Sequence, residues 1–119
     1  MTTAEVRDFR QADEVREFEG KGHIELVHVL GRTVGRATFE PGWRWSVNVR
    51  PLARTELCEV SHLGYCESGQ MRITMADGSQ SDMGPGDVTA IPPGHDAETL
   101  GDEPCIFLDF GEIEKYAKR

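Results

Sequence analysis

The sequence predicts an all-β protein, a small antiparallel barrel or jelly roll. Three observations predict it. Short runs rich in β-branched, aliphatic and aromatic residues recur along the chain; turn signals separate them about every eight to twelve residues; and 119 residues leave room for a single hydrophobic core. Closing or doubling the sheet hides most strand edges, which an open sheet of this size would leave bare.

Residues 12–18, Ala-Asp-Glu-Val-Arg-Glu-Phe, carry helix formers and place Val15 and Phe18 three apart, which predicts a short amphipathic N-terminal helix begun by Asp13 and stopped by Gly20 and Gly22. From there the signal is β. Residues 23–30 form a strand that Gly31-Arg32 turns back into a second over 33–39. In Glu40-Pro41-Gly42 the proline presets φ and the glycine supplies a conformation other residues avoid. Trp43-Arg44-Trp45-Ser46-Val47 alternates large apolar with polar side chains, as a strand does, and residues 56–65 read as extended. Met71 to Met75 alternates again and runs into Asp77-Gly78, the strongest short hairpin signal in the chain. Gly84-Pro85-Gly86-Asp87 is a tight turn, followed by a strand over 88–91 and a hard stop at Pro92-Pro93-Gly94. A last strand over 104–110 leads to a C-terminal helical turn over 113–117. No repeat, low-complexity run or linker divides the sequence, so residues 1–119 are expected to form one domain.

Thirteen basic against 21 acidic residues give a net charge of −8. Such a surface repels phosphate backbones and anionic lipid, so neither a nucleic-acid nor a membrane partner is expected. The longest apolar runs are far too short to span a bilayer, and Met1 to Asp8 has no apolar signal region, which predicts a cytoplasmic protein. Cys58, Cys66 and Cys105 are odd in number and contain no Cys-x-x-Cys pair, which predicts reduced thiols. The sequence has no Ser-His-Asp spacing, phosphate-binding glycine loop or basic stripe to support acyl transfer, nucleotide hydrolysis or nucleic-acid binding.

The informative stretch is residues 56–65, Glu-Leu-Cys-Glu-Val-Ser-His-Leu-Gly-Tyr. In an extended strand, Glu56, Cys58 and His62 project to one face, bringing carboxylate, thiol and imidazole to a common volume. Oxygen, sulfur and nitrogen donors together suit a divalent transition metal, and a thiolate favours zinc or iron over magnesium or calcium. His95, held by the rigid Pro92-Pro93-Gly94 turn, is the candidate fourth donor. Asp96 either fixes the tautomer of a neighbouring imidazole or bonds local backbone. Trp43 and Trp45 share strand parity and form either core or an aromatic wall for a ligand. Tyr65 is a candidate pocket hydroxyl or a capped core position.

The run from Pro41 to Phe110 resembles a small cupin. Gly86, five residues, then Pro92-Pro93-Gly94 matches the scaffold of the second cupin motif, and Gly69 resembles the glycine that closes the first. Counting back from Gly69, His62 falls at the position of the family's metal-binding glutamate, and Cys58 and Glu56 fall at those of its two histidines. The second-motif histidine is displaced: His95 follows Gly94 directly, and Ala97 occupies the usual ligand position. The resemblance implies an antiparallel double-stranded β-helix that binds a divalent transition metal, zinc or iron, through Cys58, His62, His95 and Glu56. It implies a small-molecule ligand near Trp43, Trp45 and Tyr65, and a homodimer. A metal-dependent enzyme is one outcome; a sensor or binding module without metal is the other, since the cupin scaffold hosts both.

Overall fold

The alternating runs fold into nine strands among the described residues, 3–118, of a computed structural model. The strands are β1 (Glu14–Glu17), β2 (Gly22–Val29), β3 (Arg32–Phe39), β4 (His62–Ser68), β5 (Gln70–Met75), β6 (Gln80–Met83), β7 (Val88–Ile91), β8 (His95–Leu100) and β9 (Cys105–Asp109). Two single-turn helices, α1 (Trp45–Asn48) and α2 (Arg50–Ala53), lie between β3 and β4. Pairing is antiparallel in a six-stranded sheet of order β1-β2-β3-β9-β4-β7 and a three-stranded sheet of order β6-β5-β8.

The period of two decides which side chains meet between the sheets. Ile24 and Leu26 on β2, Ala37 and Phe39 on β3 and Phe107 on β9 face inward from the larger sheet. Met71 and Ile73 on β5, Met83 on β6 and Ala97 on β8 face them from the smaller one, in one continuous core. Each large apolar side chain so buried contributes roughly 1.5–3 kcal/mol of transfer free energy. Antiparallel strands, two stacked sheets and few short helices make this the jelly-roll barrel expected from the turn spacing.

Three local expectations are corrected. Residues 12–18 are not helical: a 3-10 turn at Phe9–Gln11 precedes β1, which pairs with β2 from Glu14↔Leu26 to Glu17↔His23. A helix this short is marginal alone. Extended backbone sends Val15 outward and Phe18 into the core, where its ring stacks on Phe39 at 5.5 Å. Residues 43–47 form no strand either. Arg44 makes one bridge to Glu98 and α1 begins at Trp45, held by Asn48, whose Oδ1 accepts from Arg44 N at 3.0 Å while its Nδ2 donates to Glu19 O at 2.7 Å. Residues 56–65 become a ladder strand only from His62, with Cys58 in an isolated bridge to His95. Strand β8 carried no sequence expectation because its outward residues, Asp96 and Glu98, are charged; they meet Ser46 N and Arg44.

Candidate metal centre

The site is assembled where the start of β4 meets the start of β8. The Pro92–Gly94 turn, with Gly94 at φ +92°, delivers His95 into β8 on the same face as Ala97 and Thr99. Displacing the histidine by two residues from the family's ligand position therefore keeps it inward, as the strand period requires. Cys58 is tied to it through backbone: Cys58 N donates to His95 O at 2.8 Å, and Cys58 O accepts from Gly94 N at 2.7 Å. His62 opens β4 and points inward, as Gly64 and Cys66 do.

The result is a buried group of Cys58, His62 and His95 whose ligand atoms all lie within 4.8 Å of one another. Bond lengths in a tetrahedral zinc site separate nitrogen and sulfur donors by about 3.3–3.6 Å, so the group lies roughly an ångström from closing on an ion. Each imidazole has one nitrogen committed elsewhere. His62 Nδ1 lies 2.6 Å from Asp109 Oδ2, and Asp109 Oδ1 accepts from Gly111 N at 2.9 Å. His95 Nδ1 lies 2.8 Å from Pro92 O. A carboxylate and a carbonyl only accept, so both Nδ1 atoms carry the proton and both Nε2 atoms are left for coordination. His62 Nε2 is 3.6 Å from Cys58 Sγ.

The electrostatics follow from these contacts. Burial pushes the Cys58 thiol up, but hydrogen bonds to His62 and His95 outweigh it and bring it down to about 7. Burial opposes protonation of His62, but the bonds to Asp109 and then Cys58 win and raise it to about 9. Without metal these contacts favour the thiolate of Cys58 and the imidazolium of His62, which Asp109 holds. Burial raises Cys66 and Cys105, so only the thiol of Cys58 is activated.

His62 and His95 form part of the wall of a cavity with about 30 Å³ open to the centre of a water molecule. The remainder is mostly apolar, including Phe39, Trp43, Trp45, Met83 and Phe107. Cys58 lines an adjacent cleft of about 120 Å³ that shares Trp45 and Tyr116 with the cavity. The thiol therefore stands between the outside cleft and the interior.

Two sequence candidates are elsewhere. Glu56 is exposed in the irregular segment before Cys58, and its carbonyl accepts from Arg50 Nη2 at 2.9 Å. The one-face argument needed a continuous strand from 56 to 62, and the chain is not extended there. Tyr65, 41% exposed, points outward because an offset of three from His62 is odd. Trp43 and Trp45 do line the cavity. Asp96 bonds Ser46 N and Ala97 N, the backbone role, and the carboxylate that orients an imidazole is Asp109. Sequence reasoning missed Asp109 and Tyr116. The available signal for Asp109 was parity: it shares the inward face of apolar β9 with Cys105 and Phe107.

Residues 56–111 match the family model of the cupin domain. The barrel has the cupin fold. Solved structures agree at the level of fold. A single-substitution variant of oxalate decarboxylase from Bacillus subtilis superposes on 94% of this chain with a TM-score of 0.64 at 20% identity, though the chain spans 30% of that protein's length. A protein of unknown function from Rhizobium leguminosarum superposes on 92% of the chain and 99% of its own length, with a TM-score of 0.62 and 18% identity. A cupin-like protein from Thermotoga maritima covers 83% of the chain and 74% of itself, with a TM-score of 0.59 and 17% identity. Among curated proteins, none matches this sequence.

Proposed function

We propose that this cupin binds one divalent transition metal through Cys58 Sγ, His62 Nε2 and His95 Nε2, with a coordination position left for a small molecule in the barrel. The observation that carries the reading is the pairing of three convergent donors with two already oriented imidazoles. Two nitrogens and one sulfur favour zinc or iron over magnesium or calcium. Glu56, at the surface, is not part of the proposed ligand set. When bound, the ion supplies a Lewis acid at the inner end of the cavity. Asp109 and the Pro92 carbonyl keep both rings aimed, the apolar wall limits water, and binding must displace the protons that Cys58 Sγ and His62 Nε2 carry. Binding therefore tightens as pH rises through the range in which the thiol, at about 7, and the His62 imidazolium, at about 9, lose their protons.

A reducing, cytoplasmic setting suits three reduced cysteines. The exposed side chains of Leu63, Tyr65 and Val88, on paired strands β4 and β7, support the homodimer that the family resemblance implies.

Elemental analysis of protein purified without a metal-binding tag tests the reading. We expect about one equivalent of zinc or iron per chain, lost in Cys58→Ala and in His95→Ala. Chelation lowers the melting temperature by on the order of 10 °C, since a ligand at a thousand times its Kd stabilises by about 4 kcal/mol. Absence of metal with melting unchanged on chelation, together with stabilisation by a metabolite, supports the metal-free binding module instead.

A further inference from the structure

Cys58, His62 and His95 are 2%, 7% and 3% exposed, so a solute reaches them only when some part of the chain moves. Residues 112–118, which follow β9 and carry one 3-10 turn at Ile113–Lys115, are built to be that part. Ile113 and Tyr116 stand in the cavity wall with His62 and His95, and Tyr116 and Ala117 line the cleft that holds Cys58. The Tyr116 ring meets the His62 ring edge-on at 5.2 Å. The segment is fastened unlike a strand. Glu112 ties its start to Ser61, donating from N to Ser61 O at 2.9 Å and accepting through Oε1 from Ser61 N at 3.2 Å. Beyond Glu112, no main-chain hydrogen bond joins it to a strand among the described residues. One side chain holds it instead. Arg16 Nη1 donates to Glu114 O at 2.8 Å and to Tyr116 O at 2.7 Å, while Glu14, on the same strand β1, accepts from Arg16 Nε at 2.7 Å and Nη2 at 3.2 Å. Ala117 is buried at φ +53°, a left-handed conformation that strains an L residue and is relieved when the segment lifts.

We propose that residues 112–118 form a lid over Cys58 and His62, hinged at Gly111 and latched to β1 by Arg16, and that the site exchanges its contents with solvent when the latch releases. The lid stands on the fold alone and holds whether or not the site takes an ion. Tyr116 borders both cleft and cavity, so lifting it joins the two spaces and uncovers thiol and imidazole together. Gly111 fixes the near side of the hinge: its N–H donates to Asp109 Oδ1 at 2.9 Å, and a Cβ there would lie 2.7 Å from Ser61 O. Opening breaks no ladder bond, which makes it a local event reached without unfolding the sheets. Because the latch is one charged donor on two carbonyls, its loss shifts the opening equilibrium about tenfold or more.

Three buried thiols report opening separately, since Cys66 and Cys105 line neither the cleft nor the cavity. Metal-free protein is treated with N-ethylmaleimide at fixed pH, and each cysteine is followed by peptide mass spectrometry. Cys58 is expected to react ahead of the other two in wild type and about tenfold faster again in Arg16→Ala, with Cys66 and Cys105 unchanged. Arg16→Lys keeps a cation at the latch and is expected to fall between. Arg36→Ala, which removes a surface arginine paired with Glu25 and Glu67, is expected to leave the Cys58 rate as it was. Three thiols that react together, a Cys58 rate untouched by Arg16→Ala, or an acceleration that Arg36→Ala matches would each overturn the lid. Hydrogen exchange of the wild type gives a test that needs no variant. Amides of Lys115, Tyr116 and Ala117 are expected to exchange well before those of β2 and β3, and exchange at the rate of the sheets contradicts the proposal.

Discussion

Asp109 shows how one side chain converts a core histidine into a usable ligand. It lies 2% exposed on β9 and accepts from His62 Nδ1. Replacing it by Asn keeps the shape but permits the opposite tautomer, so Asp109→Asn is expected to weaken zinc affinity about 10–100-fold, measured by competition with a chromophoric chelator. The same contact sets a pH dependence in metal-free protein. His62 is raised from 6.5 to about 9 by folding, against the opposing effect of burial. Folding therefore takes up a proton between those values, and the stability it confers is complete below about 6.5 and lost as pH climbs through about 9. The melting-temperature gap between metal-free wild type and Asp109→Asn is expected to be widest on the acid side of that window and to close above it. Cys58 runs in the other direction: its folded value lies below 9.0, so its contribution is present above 9.0 and lost as pH falls through about 7.

At the scale of elements, the approach of β4 to β9 sets the distance from His62 to Asp109. Gly64 pairs with Asp109, and a Cβ at Gly64 would lie 1.9 Å from Leu108 O and 2.5 Å from the Phe107 ring. Gly64→Ala must therefore push the strands apart. We expect a loss of about 3 kcal/mol in denaturant unfolding, with zinc affinity falling alongside it. The Pro92–Gly94 turn and strand β7 before it were legible in the sequence, because proline, glycine and runs of β-forming residues act locally. The 12–18 segment was not. Its helix formers describe an isolated peptide, whereas β2 offers a ladder and the Phe39 and Trp43 rings offer Phe18 a place. Strand β8 and the helical start at Trp45 escaped for the same reason, since their partners lie some 50 residues away, in the Arg44–Glu98 and Ser46–Asp96 contacts.

For the whole molecule, the barrel converts separated sequence positions into one enclosed volume. Cys58, His62 and His95 were readable because the donors are chemically distinctive and the turn before His95 is rigid. Glu56 lies at the surface because the strand begins only at His62, and Tyr65 faces outward because its offset from His62 is odd. Asp109 depends on the β4–β9 register, which turn signals do not specify.

X-ray absorption spectroscopy of the zinc- or iron-loaded protein addresses the metal centre most directly. The account predicts one sulfur at about 2.3 Å and two imidazole nitrogens at about 2.0–2.1 Å, with the sulfur shell abolished in Cys58→Ala. A first shell of oxygen and nitrogen alone in the wild type would contradict it.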